Sequence, residues 1–367
     1  MKPKILFIMH MPPPIHGASM VGKFIHDSKL VNESFDCWYI SPSTANNIQD
    51  IAKINCVKIF RFVFILLRIA RILIFERPDL VYYTATARKD GFRISYIIVT
   101  WIRLFNRNIV VHFHNKGVCE NKKGIDGIIR KSFFRNIKVI LLSRYLYYDI
   151  EDWVDKKDVL ICPNGIPQTN TEKIVRKNSV PHLLFLSNLI KSKGVYVLLD
   201  ACKILKDKGE QFVCDFVGAE SKEISESIFL AEVSRRGLCD FVKYHGRKYG
   251  AEKDSYFKHA DIFVFPTYYE SETFGLVNLE AMQYQLPIVT TNVGGIPDVV
   301  KNGINGIVCE RNNVESLANA IETLLSNSEM RKEMGNAGYE KFKNEFTLDI
   351  FERKFTDCIK QCLKSYG

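Results

Sequence analysis

The 367-residue chain is longer than the roughly 250–300 residues over which one hydrophobic core keeps growing, so two domains are expected. A composition of 47% hydrophobic and 25% charged residues excludes a disordered or fibrous protein. The net charge of +10 is concentrated, because residues 1–165 hold 25 Lys and Arg against 14 Asp and Glu, and the remainder holds 26 against 27.

Short β-branched runs alternate with longer helical patterns, the signature of parallel βαβ units. The chain begins MKPKILFIMHMPPP, where an apolar strand over 4–9 is broken by His10 and followed by three prolines. That run is too short for the core of a signal peptide. MPPPIHGASMVGKFI then reads as a strand end, a Pro-rich loop and a helix opened at Gly17, a geometry that lets backbone approach a phosphate or sugar. Gly17 and Gly22 do not make a G-x-G-x-x-G fingerprint, which counts against a Rossmann-type NAD-dependent oxidoreductase.

Residues 58–77, KIFRFVFILLRIARILIFER, are the most apolar segment, yet the chain has no uncharged apolar run long enough to span a bilayer. On a helix, Lys58, Arg61, Arg68 and Arg71 fall on one side. Two readings stay open: a helix packed on a sheet with its arginines in water, or an interfacial helix lying on anionic lipid. A nucleic-acid-binding protein would also use a basic half, but these cations interleave with an apolar helix and not with stacking aromatics on a sheet.

Further strands are expected at 79–84, 108–114 and 138–143. The second of these ends in VVHFHNKG, which puts His112 and His114 on one strand face, with no third ligand at metal-site spacing. The polar, proline-containing stretch 163–181 reads as a linker. It separates an N-terminal domain, 1–165, from a C-terminal domain, 166–345, followed by a helix, 346–367, expected to pack back toward the first. Strands of the second domain are expected at 182–187, 212–218, 261–266, 287–291 and 306–310. In two such doubly wound α/β domains, ligands bind beyond the carboxyl ends of the strands. The ten cysteines form no C-x-x-C pair and lie mostly in apolar runs, which suits reduced thiols in a cytoplasmic chain.

The segment SETFGLVNLEAMQYQLPIV, 271–289, follows a buried strand and starts a helix near Phe274-Gly275. Its first backbone N–H groups have no intrahelical acceptor and are available to ligand oxygens. Glu272 precedes the helix and Glu280 lies within it, about 12 Å further along at about 1.5 Å per residue. Glu272 can be read as an acid favoured by the helix dipole and Glu280 as an exposed helix residue, but a carboxylate among core positions such as Ala281-Met282 needs a partner. In FLSNLIKSKGVYVLLDAC, 185–202, Lys193 stands at a helix start, a position the dipole disfavours for a cation unless an anion is near.

The pattern E-x-F-G-x-x-x-x-E-A-M, followed by a P-I-V-T strand and the Gly294-Gly295 loop, resembles the glutamate pair of family 4 retaining glycosyltransferases, of group 1 type, like those that build bacterial cell-surface polysaccharides. The resemblance implies the GT-B fold, two Rossmann-like domains facing across a cleft. It places Glu272 by the donor sugar, the amides of Phe274, Gly275 and Leu276 on sugar hydroxyls, Glu280 on the ribose, and Gly17 and His114 near the donor. The family carries Gly-Arg and then Lys-Gly on the diphosphate; here Lys193-Gly194 is present but Ser187-Asn188 replaces Gly-Arg, leaving Asn188 as an amide donor and Arg247, in HGRKYG, as a substitute cation. PNGI, 163–166, matches at the domain crossing, where Asn-Gly sets a turn.

The function implied is metal-independent, retaining transfer of a hexose from a UDP- or GDP-linked sugar, with no other cofactor, to a hydroxyl of a polyprenyl-diphosphate-linked saccharide. This suits O-antigen or capsule synthesis at the inner face of the cell membrane. Lys193 and the helix-start amides would stabilise the departing diphosphate without a D-x-D metal motif. A GT-B nucleotide-sugar epimerase, which needs no acceptor, is the alternative within sugar chemistry.

Overall fold

The computed structural model describes residues 1–13, 17–43, 56–120, 123–169, 176 and 178–366. The chain divides into two compact units, residues 1–165 with 348–367, and residues 166–347.

The first unit contains strands β1 (Lys4–Ile8), β2 (Asp36–Ile40), β3 (Leu80–Ala85), β4 (Asn108–Phe113), β5 (Lys138–Leu141) and β6 (Val159–Ile161), paired in the order β2-β1-β3-β4-β5-β6. All neighbours are parallel, with Ile5 opposite Leu80 and Thr84 opposite His112. The helices are α1 (Gly17–Asp27), α2 (Lys29–Ser34), α3 (Cys56–Phe75), α4 (Lys89–Arg103) and α5 (Gly124–Phe134). Right-handed crossovers place helices on both faces of a parallel sheet when the strand order reverses, as it does here between β1 and β3. Here α3, α4 and α5 touch in series over one face, and Trp101 Nε1 of α4 donates to the Leu66 carbonyl of α3 at 3.0 Å.

The other face is closed by α1, α2 and the last helix of the chain, Leu348–Tyr366, numbered α13 below. Its Phe351, Phe355 and Ile359 are buried against Phe7, Tyr82 and Val110. Burying each such side chain contributes about 1.5–3 kcal/mol. The final turn is pinned by Tyr366, whose hydroxyl donates to the Ile109 carbonyl at 2.9 Å.

In the second unit the strands are β7 (His182–Leu186), β8 (Val213–Val217), β9 (Val242–Tyr244), β10 (Ile262–Phe265), β11 (Ile288–Thr291) and β12 (Gly306–Cys309). They pair in the order β12-β11-β10-β7-β8-β9, again all parallel. The helices are α6 (Val195–Asp207), α7 (Glu226–Arg235), α8 (Gly250–His259), α9 (Leu276–Gln283), α10 (Ile296–Val299), α11 (Val314–Ser326) and α12 (Ser328–Glu345). Helices α6, α7 and α11 bury Leu198, Phe229 and Ile321 on one face, and α9 packs against β10, β11 and α12 on the other. The strand order reverses between β7 and β10, so the helices that follow these two neighbours, α6 and α9, pack on opposite faces of the sheet.

The nine strands expected from apolar runs are all present. Three more, β2, β6 and β9, are edge strands. They are short: CWYI of β2 and VLI of β6 are apolar for only four and three residues, and VKY of β9 is interrupted by Lys243.

Candidate active site in the C-terminal unit

The loop after β7 runs through a 3-10 turn, Lys191–Lys193, and Gly194 into α6. Gly194 has φ +90° and lies so close to Pro266 that a Cβ would stand 2.4 Å from its carbonyl oxygen, so only glycine fits. The loop after β10 is tied to the same turn, since Tyr268 N–H donates to the Ser192 carbonyl at 2.8 Å. Two strands adjacent at the reversal point thereby deliver their loops to one place.

There the Lys193 ammonium donates to Glu272 Oε2 at 2.5 Å, with side-chain exposures of 16% and 12%. Lys193 also rests over the Tyr269 and Phe265 rings, 4.7 and 5.4 Å from their centroids. The other oxygen, Glu272 Oε1, accepts the Gly275 N–H at 3.1 Å. Glu272 therefore holds the Gly275 amide just before α9 and pairs with Lys193 at once. Gly275 stands before α9 with φ +67°. Phe274 is buried with its ring 5.9 Å from that of Phe346, and Leu276 opens the helix half-buried. The Gly295 N–H donates to the Thr273 carbonyl at 2.6 Å, fixing the Gly294-Gly295 loop on this turn.

One turn further, Glu280 Oε1 accepts from the Lys253 ammonium of α8 at 3.1 Å. Burial pushes the Glu280 carboxyl above its ordinary range, and Lys253 draws it back. Lys253 carries no motif signal in the sequence and was not expected here; spacing along one segment does not disclose a partner from another helix.

Asn188, after β7, is exposed, and its Oδ1 accepts the Ala219 N–H at 3.3 Å, bracing the loop after β8. Gly218 N–H donates to the Gly246 carbonyl at 2.9 Å, so the HGRKYG loop after β9 joins the same carboxyl edge. Arg247 in that loop is exposed, its guanidinium 5.4 Å from the Tyr249 ring centroid. The loop is anchored by His245, whose Nε2 meets Asp215 Oδ1 at 2.7 Å, while Asp215 Oδ2 meets His182 Nδ1 at 3.0 Å. Against the opposing effect of burial, these two histidines hold Asp215 below the usual carboxylate range. Lys193, Asn188, Arg247, Glu272, Phe274, Gly275, Leu276 and Glu280 are thus all carried by the carboxyl side of this sheet or the helix that follows it.

The two remaining sequence-derived candidates belong to the N-terminal unit. Gly17 opens α1, and residues 14–16 before it lie outside the described residues. His114 follows β4, half-buried, with its ring 4.1 Å from that of His112. His112 Nδ1 lies 2.7 Å from the Tyr82 hydroxyl, and burial pushes this imidazole well below its usual range. Among the described residues, no three His, Cys, Asp or Glu side chains converge to hold a metal ion.

The profile of the family described as glycosyl transferases group 1 matches residues 168–341, nearly all of the second unit. The capsular polysaccharide biosynthesis glycosyltransferase CapM of Staphylococcus aureus is 28% identical over 184 residues, 49% of this chain and 46% of that protein. The chain spans about half the length of the curated relatives it matches. Among solved structures, a glycosyltransferase from Rickettsia africae ESF-5 superposes over 99% of both chains with a TM-score of 0.75 at 20% identity. Anabaena Alr3699/HepE in complex with UDP-glucose covers 98% of this chain and 99% of that one, with a TM-score of 0.70 at 17% identity. At such identities the likeness is one of fold, and the fold is GT-B.

Proposed function

We propose, from the premise that the C-terminal unit of this chain belongs to the group 1 glycosyl transferases, that the protein transfers a sugar from a nucleoside-diphosphate donor to a hydroxyl acceptor. The observation that carries this reading is the Lys193–Glu272–Gly275 arrangement at the strand-order reversal. A diphosphate arriving there offers Lys193 a more highly charged partner than Glu272, and it arrives where a helix N-terminus favours anions. Glu272 is then released to accept hydrogen bonds from sugar hydroxyls, and the Gly275 amide to donate one. As the bond from C1 to the leaving oxygen breaks, negative charge grows on the diphosphate, where Lys193 is already placed.

The finer reading is a retaining, metal-independent hexosyl transfer with Glu280 on the ribose. Glu272 is not assigned as a covalent nucleophile: a retaining glycosidase sets two carboxyl groups about 5–5.5 Å apart across the bond, and here each glutamate is engaged by its own lysine. The relatives support a role in polysaccharide synthesis, with a lipid-linked saccharide as the acceptor we favour.

Peripheral membrane contact belongs to the same proposal. Among the described residues, no helix is long and apolar enough to cross a membrane. Yet the outward side of α3 bears Phe60, Phe64, Leu67 and Phe75, exposed by 75%, 58%, 59% and 73%. The helix holds Lys58, Arg61, Arg68 and Arg71 and no acidic residue. Neighbouring α4 and α5 add exposed Ile94, Ile97, Ile125 and Ile128. An apolar face set with cations suits an anionic lipid surface.

The test is incubation of the full chain with UDP- and GDP-sugars, reading thermal shift and then transfer to polyprenyl-diphosphate-linked saccharides. Failure of every nucleotide sugar to bind sinks the reading. Donor conversion without acceptor would favour epimerisation.

A further inference from the structure

Glu272 meets a lysine from the loop of the neighbouring strand, whereas Glu280 meets Lys253, which stands in α8, the helix that follows the His245–Arg247 loop. The Lys253 and Glu280 side chains keep 25% and 24% of their surface exposed, so the pair is open to a ligand. A carboxylate offers about four acceptor positions and an ammonium three donors, and each spends one on the other. What remains is a set of acceptors and donors side by side. A cis-diol is its complement, because each hydroxyl both donates and accepts.

We propose that Lys253 is a positioning and specificity residue, which orients Glu280 and, with it, reads the ribose diol of the donor, favouring ribonucleotide over 2′-deoxyribonucleotide diphosphates. This rests on the donor-site reading given above.

The charges around Glu280 give the proposal a second consequence. Burial raises its affinity for a proton, Lys253 opposes that, Asp254 of α8 adds to it, and Tyr284, just after α9, stands nearby as a neutral phenol. Without Lys253, burial and Asp254 act unopposed, and Glu280 takes up its proton at higher pH. A protonated carboxyl loses acceptor capacity for the diol, so affinity for a ribonucleotide must then fall as pH is lowered.

Titration calorimetry on the full chain with UDP, GDP, and their 2′-deoxy counterparts, from about pH 5.5 to about pH 7.5, tests this for wild type, K253M and K253R. Hydrogen bonds to charged groups contribute about 1.5–3 kcal/mol, so wild type is expected to prefer the ribonucleotide about tenfold or more. In K253M that preference falls toward unity and ribonucleotide binding weakens further at the acid end; K253R retains the preference. A K253M protein that keeps the wild-type preference with a flat pH profile overturns the proposal, as does equal loss of ribo- and deoxyribonucleotide. Wild type that binds neither UDP nor GDP overturns the donor reading itself, a result distinct from either of these.

Discussion

The Lys193 ammonium and the Glu272 carboxylate lie 2.5 Å apart, although they come from loops 79 residues apart in sequence. Each occupies the other, and under the proposed function a donor diphosphate would displace Glu272 from Lys193. The pair predicts a division of labour. Replacing Lys193 by Met should weaken nucleoside-diphosphate binding about tenfold or more, whereas E272Q should leave binding within a few-fold of wild type and lower kcat by about 10²–10³. Calorimetry with single-turnover kinetics separates the two, and equal losses in both variants would contradict it.

Asn188 stands where the resemblance leads one to expect a guanidinium, and its side chain is exposed at the carboxyl edge of the sheet. N188R should therefore add a cation facing the diphosphate and tighten UDP or GDP binding several-fold, with a steeper loss of affinity as salt is raised. Unchanged affinity and salt response would remove this position from the diphosphate site.

Gly194 should tolerate no side chain. A Cβ would meet the Pro266 carbonyl at 2.4 Å in a backbone conformation, φ +90°, that already disfavours L-residues. G194A is expected to lose about 1–3 kcal/mol of stability in denaturant unfolding and to lose donor affinity with it, since Lys193 is the preceding residue. Wild-type values in both measurements would show that the turn yields.

Glu280 gives a pH signature of its own. Its folded-state carboxyl lies above the ordinary value of 4.5, so the folded protein holds this proton more tightly than the unfolded chain. Stability relative to E280Q should fall as pH rises from about 4.5 through the folded-state value, and be regained on acidification through the same window. Paired melting curves across that range check the sign.

For α3, replacing Arg61, Arg68 and Arg71 together by Ser should lower recovery on anionic liposomes by about two orders of magnitude, at about 1 kcal/mol per cation. F60S with F64S should reduce binding to anionic and neutral vesicles alike. Equal flotation of all variants would assign the helix to another partner.

The sequence by itself determined the class of fold and singled out the segments that carry the candidate site. Parallel strands buried on both faces must be written as continuous apolar runs, which is why nine of the twelve were legible, and a helix start leaves its mark in a contiguous stretch such as 271–283. It left α3 with two readings because periodicity shows which residues share a face but not which face is covered. Tertiary structure turned Phe60 and Phe64 outward. It also decided who meets whom: Lys253 beside Glu280, Asp215 between His182 and His245, and Asn188 bracing Ala219. Pairings of that kind arise from the order in which strands are laid side by side, a long-range property that no local pattern of residues encodes.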